Sequence, residues 1–393
     1  MLAFKSFLVE EEQGKQIKHL THIEDRPLQT GEHGLKHAIA SLTKAHQHIK
    51  SGQHSSQLTT KYDGSPAIVY GHHPKTGQFF VASKSAFNKT PKINYSHEDI
   101  EKNHGHAPGL VSKLKTALHH LPKITPEKGI YQGDMMFTHD ELKHDHKKGT
   151  VSFHPNPSGL TYTAHGRHAE HAAKAKIGLV THLQYHGGEL KGLVAHHGVD
   201  HQNFKQHSDV FTVDPRVDTR HIEYTDKERN EFEKHIEAAK KAHAAGGKEM
   251  YKATETHQGA GGPLEAYINH TVRTGETPSH KGFMKHIEAK GNEQIEKTKT
   301  KAYQDSKKAQ LAHHLRWVEH NKQHYNNLFK VHQHLQKAKG VLIDVLNKHQ
   351  EFEHTHGDQK ANPEGYVHHH NGESDKLVHR HEFSKRNLLG IRK

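Results

Sequence analysis

Between residues 58 and 82, after Leu58, two short apolar runs stand out, Ala67-Ile68-Val69-Tyr70 and Phe79-Phe80-Val81-Ala82, each bounded by turn-forming residues. Short runs of β-branched and aromatic residues so bounded predict strands. The same signal returns at 129–137, 150–153, 160–164, 178–185 and 190–196. Helical spacing interrupts it twice. Leu35, Ile39, Leu42 and Ile49 form one stripe and predict a helix over 34–49. Leu110 to Leu121 predicts a second, stopped by Pro122.

Beyond Pro215 the pattern changes. Residues 216–358 are rich in Ala, Lys, Glu and His with few β-branched runs, which predicts long helices around 226–245 and 296–349. Gly259-Ala260-Gly261-Gly262-Pro263 breaks them; no Gly-Lys-Ser/Thr follows, so this is not a phosphate loop. Leu311, Leu315, Val318 and Leu328, with Trp317 beside them, read as helix packing. The strand pattern then resumes on both sides of Asn371-Gly372, which predicts a β-hairpin.

Composition narrows the possibilities. With 31% hydrophobic residues and a mean hydropathy of −0.97, a single large core over 393 residues is not expected. No stretch approaches the roughly 18 apolar residues of a membrane helix. The absence of cysteine excludes structural disulfides, thiolate zinc sites and cysteine nucleophiles. A formal charge of +12 favours a polyanionic partner. The 48 histidines are expected on exposed faces, in place of Lys, Gln or Asn. His119-His120, the triple His368-His369-His370 and the helix-spaced His165, His168 and His171 carry no metal-site motif, and no HExxH occurs. On that reading net charge and nucleic-acid affinity rise between about pH 7 and 5.5.

Candidate chemistry starts at Thr59-Thr60-Lys61-Tyr62-Asp63-Gly64. In a strand–turn–strand Lys61 and Asp63 share a face, and Gly64 permits the turn and a close backbone approach to a phosphate. A free lysine, with pKa about 10.4, is a poor nucleophile at neutral pH; cations, a metal and desolvation make it reactive. A charged hairpin explains these residues equally well, so three further segments matter. Lys84 closes the run Phe79–Ser85. Asp134 follows Gly133 inside an apolar strand, where a carboxylate is costly to bury without a partner. Glu364-Gly365-Tyr366-Val367 precedes a strand carrying Lys376.

In this order the four segments resemble the covalent nucleotidyltransferase superfamily of ATP-dependent DNA ligases, RNA ligases and mRNA capping enzymes. The likeness is greatest to phage RNA ligases of the second type, whose late motif also reads Glu-Gly-Tyr-Val. The whole chain also resembles a tailed-phage protein family of the same plan. The resemblance implies an α+β fold: a ligase adenylation-domain-like core of antiparallel sheets at 23–215 and 359–393, with a large, mainly helical insertion at 216–358 before the last hairpin. Only 17 residues follow Lys376, too few for a C-terminal OB-fold.

The resemblance further implies that Lys61 attacks the α-phosphorus of ATP and forms a lysyl-AMP with the help of Mg²⁺. Asp63 and Gly64 would shape the pocket and Lys84 would contact the nucleotide. Asp134 would lie near the ribose and, with Glu364, hold the metal. Lys376 and Arg380 would face the phosphate, and His182 would stack on adenine. Two departures stand out: Val378 replaces a second lysine, and 176–183 contains no Phe-Asp. The implied partner is nucleic acid, as RNA or nicked duplex ends. Residues 1–22 open on an amphipathic stretch, Met1 to Glu12, that resembles the clipped leaders of prohead-packaged proteins and reads equally as a helix start. It keeps open a packaged virion protein that binds nucleic acid without turnover, with phage prohead or virion proteins as partners. The expected location is host cytoplasm or virion, with no membrane.

Overall fold

So low an apolar content divides the core. The computed structural model describes residues 20–384 except 53–56, 63, 157–158, 191 and 198. Within them the chain is α+β, its buried apolar side chains gathered in several clusters. The first sheet has the order β1 (Thr21–His22), β15 (Glu373–Leu377), β14 (Tyr366–His370) and β2 (Leu58–Thr60). The last hairpin turns at Asn371 and Gly372, with φ of 50° and 77°. Two successive left-handed residues make the tight turn whose twist matches that of the strands. β1 pairs with β15 in parallel, Thr21 with Asp375 and His22 with Lys376. Thr21 and His22, expected inside the opening segment 1–22, are therefore sheet residues, and residues 1–19 lie outside those described.

The second sheet runs β10 (Val194–His197), β9 (Ile177–His186), β5 (Ile130–Thr138), β3 (Ala67–His72) and β4 (Phe79–Ala82), with β11 (Val210–Thr212) parallel to β9. The third runs β13 (Gln359–Ala361), β12 (Glu353–His356), β8 (Thr161–Ala164), β7 (Thr150–Phe153) and β6 (Lys143–Asp145). Strand β12 falls inside the 216–358 segment expected to be helical, because pairing with β8 decides its conformation.

Helix α1 spans Arg26–Ser51 with a kink at Thr30 and Gly31; the part beyond the kink covers the expected 34–49, Pro27 lies in the first turn and the left-handed Gly52 at the end. Helices α2 (His97–His104) and α3 (Pro108–His120) cover one face of the second sheet, Ile100, Val111 and Leu114 packing on Ile68, Tyr70 and Met135. Helix α4 (Gly166–Lys174) packs Ala169 and Ala172 on the third sheet. The helical segment contains α5 (Asp226–Thr254), α6 (Pro263–Thr274), α7 (His280–Glu296), α8 (Lys301–His320) and α9 (Lys322–Leu346). A reciprocal Thr225–Glu228 cap starts α5. Its core is continuous with α1 and the first sheet: Leu42, Leu58, Phe232, Leu335, Tyr366 and Leu377 belong to one cluster.

A buried charge network crosses that core. Lys339 Nζ donates to Glu24 Oε1 at 2.5 Å. Arg380 donates to both Asp25 oxygens at 2.8 and 2.7 Å, and His332 Nε2 meets Oδ1 at 2.9 Å. Histidines depart from the sequence expectation in the same way. His46, His48, His104, His257, His280, His332, His354 and His368 are buried. A neutral imidazole that finds a Tyr, Ser or Asp partner tolerates burial, as His46 does with Tyr224 and His257 with Tyr325. Among the described residues no helix is long and apolar enough to cross a membrane.

Removing one partner of a buried ion pair strands the other charge. Lys339→Met is expected to lower unfolding free energy by about 3–5 kcal/mol. Glu24→Gln combined with Lys339→Met should recover most of that loss. Urea denaturation of the wild type and both variants checks both statements.

Candidate functional site

Directly opposed residues of antiparallel strands project to the same side of a sheet. On the first sheet that rule groups Thr59, Val367 and Lys376 on one face, and Leu58, His368 and Asp375 on the other. The second group faces α1. Asp375 accepts from Arg26 Nε at 2.7 Å and meets His37 Nε2 at 2.7 Å, while Ser41 Oγ lies 2.8 Å from His368 Nδ1. Lys61 continues β2 and its backbone N–H donates to the Gly365 carbonyl at 2.8 Å. It therefore lies on the Lys376 side. Its Nζ is 2.5 Å from Glu364. Lys376, half-buried, has its amine pKa lowered by desolvation and by the charge of Lys61, with Glu364 acting in the opposite sense.

Residues 62–66 then carry the chain from the first sheet to the second. Tyr62 turns away into the third-sheet core, and its hydroxyl donates to Glu351 at 3.2 Å. Burial pushes the Glu351 carboxyl up to about 7. Gly64 passes so close to β5 that a Cβ there would lie 2.7 Å from the Met135 carbonyl and 2.8 Å from Asp134 Cβ. Ser65 N–H donates to that carbonyl at 2.9 Å, and Met135 N–H to Pro66 O at 3.1 Å. Glycine at 64 thus lets the Lys61 segment lie directly on Asp134.

Asp134 pairs with Ala67 and Val180, on the sheet face opposite α2 and α3. A register shift between Gln132 and Gly133 leaves His182 unopposed in β9. Such a bulge re-aims a side chain, and His182 Nδ1 comes to 3.8 Å from Asp134. The two sheets also touch through His197 and His369, whose rings stack with centroids 4.2 Å apart. Burial lowers His197 to about 4, with His182 and His196 adding to the shift, and lowers His369 to about 3, with His197 and His368 adding to it.

The structure therefore brings Lys61, Gly64, Glu364 and Lys376 into one region with Asp134 and His182 beside it. Lys84 is exposed at the end of β4, at the start of a short 3₁₀ turn, and Asp63 lies outside the described residues. Arg380 is not directed at this region. Its guanidinium is buried and committed to Asp25, with Asn269 at 2.6 Å. Sequence reasoning missed His197, His369 and the Tyr62–Glu351 contact; their partners are distant in the chain and no local motif marks them.

Two carboxylates, Glu364 and Asp134, suit a hard cation that keeps several waters and takes its remaining ligands from phosphate oxygens. Among the described residues the group of three metal-capable side chains is Glu24, Asp25 and His332, already bound to Lys339 and Arg380. A cavity of about 280 Å³ lies past Lys376, lined by Lys339, Asn362, Val378, His379 and Arg380.

The buried neutral rings make stability pH-dependent. His197, His368 and His369 carry folded-state pKa values of about 3 to 4, below 6.5. Their contribution is complete above about pH 6.5 and is lost as pH falls toward 4. Each ring costs about 2 kcal/mol by pH 5. Unfolding free energy should fall steeply between pH 7 and 5, and His369→Gln should flatten that fall; chemical denaturation across the range checks it.

No curated protein and no solved structure matches the chain. A family model does, over residues 17–392, and its description is a family of unknown function. Since that match takes in the strands, the helical segment and every residue of the Lys61 region, the chain belongs to the family DUF6267.

Proposed function

We propose that the protein is an ATP-dependent nucleotidyltransferase of the polynucleotide-ligase type, acting on RNA in preference to DNA ends. The observation that carries this reading is one lysine amine held at 2.5 Å by a carboxylate, with a second amine beside it and another carboxylate across the connecting segment. Lys61 Nζ loses a proton, and Glu364 is placed to accept it. The amine attacks the α-phosphorus of ATP: an N–P bond forms, the bond to the bridging oxygen breaks, and pyrophosphate leaves. Lys376 stabilises charge on the phosphate oxygens. Mg²⁺, held by Glu364 and Asp134, would supply further charge neutralisation. Gly64 keeps the backbone close, and His182 would contact the base. A 5′-phosphate then takes the AMP as the Lys61 N–P bond breaks, and a 3′-hydroxyl attacks that 5′-phosphate, forming the phosphodiester as AMP leaves.

A second reading has its own observation. The same 2.5 Å ion pair leaves the Lys61 amine already engaged by Glu364. That suits a protein of the host cytoplasm or the virion, alongside prohead or virion proteins, that binds nucleic acid without turnover.

Incubation with α-labelled ATP and Mg²⁺, followed by a denaturing gel, separates the two. Wild type should retain label that pyrophosphate releases, Lys61→Ala should retain none, and Glu364→Gln should label about 100-fold more slowly. Folded wild type that takes no label from ATP or GTP, with Mg²⁺ or Mn²⁺, overturns the catalytic reading.

A further inference from the structure

Helices α7 and α8 form an antiparallel pair, joined at Lys297–Thr300. Leu311 of α8 packs where Gly291 of α7 leaves room, and Ile287, Leu311, Leu315 and Val318 seal the inner side. The joined end is of another character. Residues 297–308 read Lys-Thr-Lys-Thr-Lys-Ala-Tyr-Gln-Asp-Ser-Lys-Lys, five lysines against one aspartate. Lys299 and Lys301 are exposed. Lys297 pairs with Glu293, and Lys308 only loosely with Asp305 at 3.8 Å. Tyr303 stands among them with 68% of its surface exposed.

An exposed lysine run is ordinarily a solvated face, and here a second observation separates it from one. Among the described residues the exposed large hydrophobic side chains are Val194, Tyr303 and Trp317, and two of these three share α8. Tyr303 and Trp317 are fourteen residues apart, which returns them to nearly the same edge of the helix about 21 Å apart. Trp317 is fixed there, its indole N–H donating to the Ala253 carbonyl at 2.8 Å. The fold leaves both at the surface, Tyr303 within the lysine run and Trp317 in the last turn of the same helix.

We propose that this hairpin end and the α8 edge leading from it bind single-stranded nucleic acid: the lysines contact successive phosphates, Tyr303 among them offers a face on which an unpaired base stacks, and Trp317, further along the helix, offers a second. An anionic membrane is a poorer fit, because residues 297–308 contain no leucine, isoleucine, valine or phenylalanine to enter the acyl region. The proposal rests on the nucleic-acid partner of the proposed function, but not on its chemistry.

The test is fluorescence anisotropy of a labelled single-stranded oligonucleotide with the full chain, over a range of salt. Lys299→Ala, Lys301→Ala and Lys308→Ala together should reduce the slope of log affinity against log salt by about 2, and weaken binding about 100-fold at 0.1 M salt. Tyr303→Ala should weaken binding about 5- to 100-fold and leave that slope unchanged. These side chains are exposed, and circular dichroism would show that the variants remain folded. Wild type that does not bind the oligonucleotide, variants that bind like wild type, or a triple variant that loses anionic vesicles but not oligonucleotide would each overturn the inference. Lysyl-AMP labelling is read on the same samples. Labelled variants that no longer bind leave both readings standing; an unlabelled wild type whose hairpin variants lose binding keeps the hairpin and removes the ligase.

Discussion

Two acidic side chains adjacent in sequence and sealed from water, Glu24 and Asp25, set the terms for the rest of the structure. Dehydrating a carboxylate costs several kcal/mol, so each must meet a cation inside the protein. The cations come from far along the chain, Lys339 from α9 and Arg380 from just past β15. The start of α1, the helical segment and the last hairpin are thereby fixed to one another. The hairpin so fixed carries Lys376. Strand alternation sends Asp375 down to Arg26, His37 and Ser41, and Lys376 up toward Lys61. Ser41, His368 and Asp375 share the residue types of a hydrolytic triad, but Ser41 is completely buried. They act as a clamp on the strand whose next residue faces the other way.

Much of this was legible before the fold. Short apolar runs located the strands, and the spacing of Lys61, Gly64, Glu364 and Lys376 marked residues that do lie together. What could not be read has a physical cause in each case. Arg380 looked like a phosphate contact because its partner, Asp25, is 355 residues away and nothing local announces it. His182 reaches Asp134 through a bulge, and a one-residue slip in register leaves no trace in composition. The buried histidines looked like surface residues because a neutral imidazole and a charged one are the same letter. Burial settles which it is, and it needs the whole tertiary structure.

Low apolar content is reconciled with a packed interior by the same chemistry. Tyrosine and histidine fill space and pair with each other, as His257 does with Tyr325 and His46 with Tyr224. Such a core has polar contacts to satisfy at nearly every layer. It is consequently specific in geometry and sensitive to protons.

The first sheet has a temporal consequence. Its four strands come from residues 21–22, 58–60 and 366–377, so β1 and β2 wait for strands made about 300 residues later. While the protein is being synthesised, β1 and β2 have no partner, and Lys61 has neither Glu364 nor Lys376 beside it. The second sheet, complete by residue 212, can close first. The lysine region is thus completed only after residue 376 has been made, and a chain truncated before residue 364 carries Lys61 without its carboxylate partner.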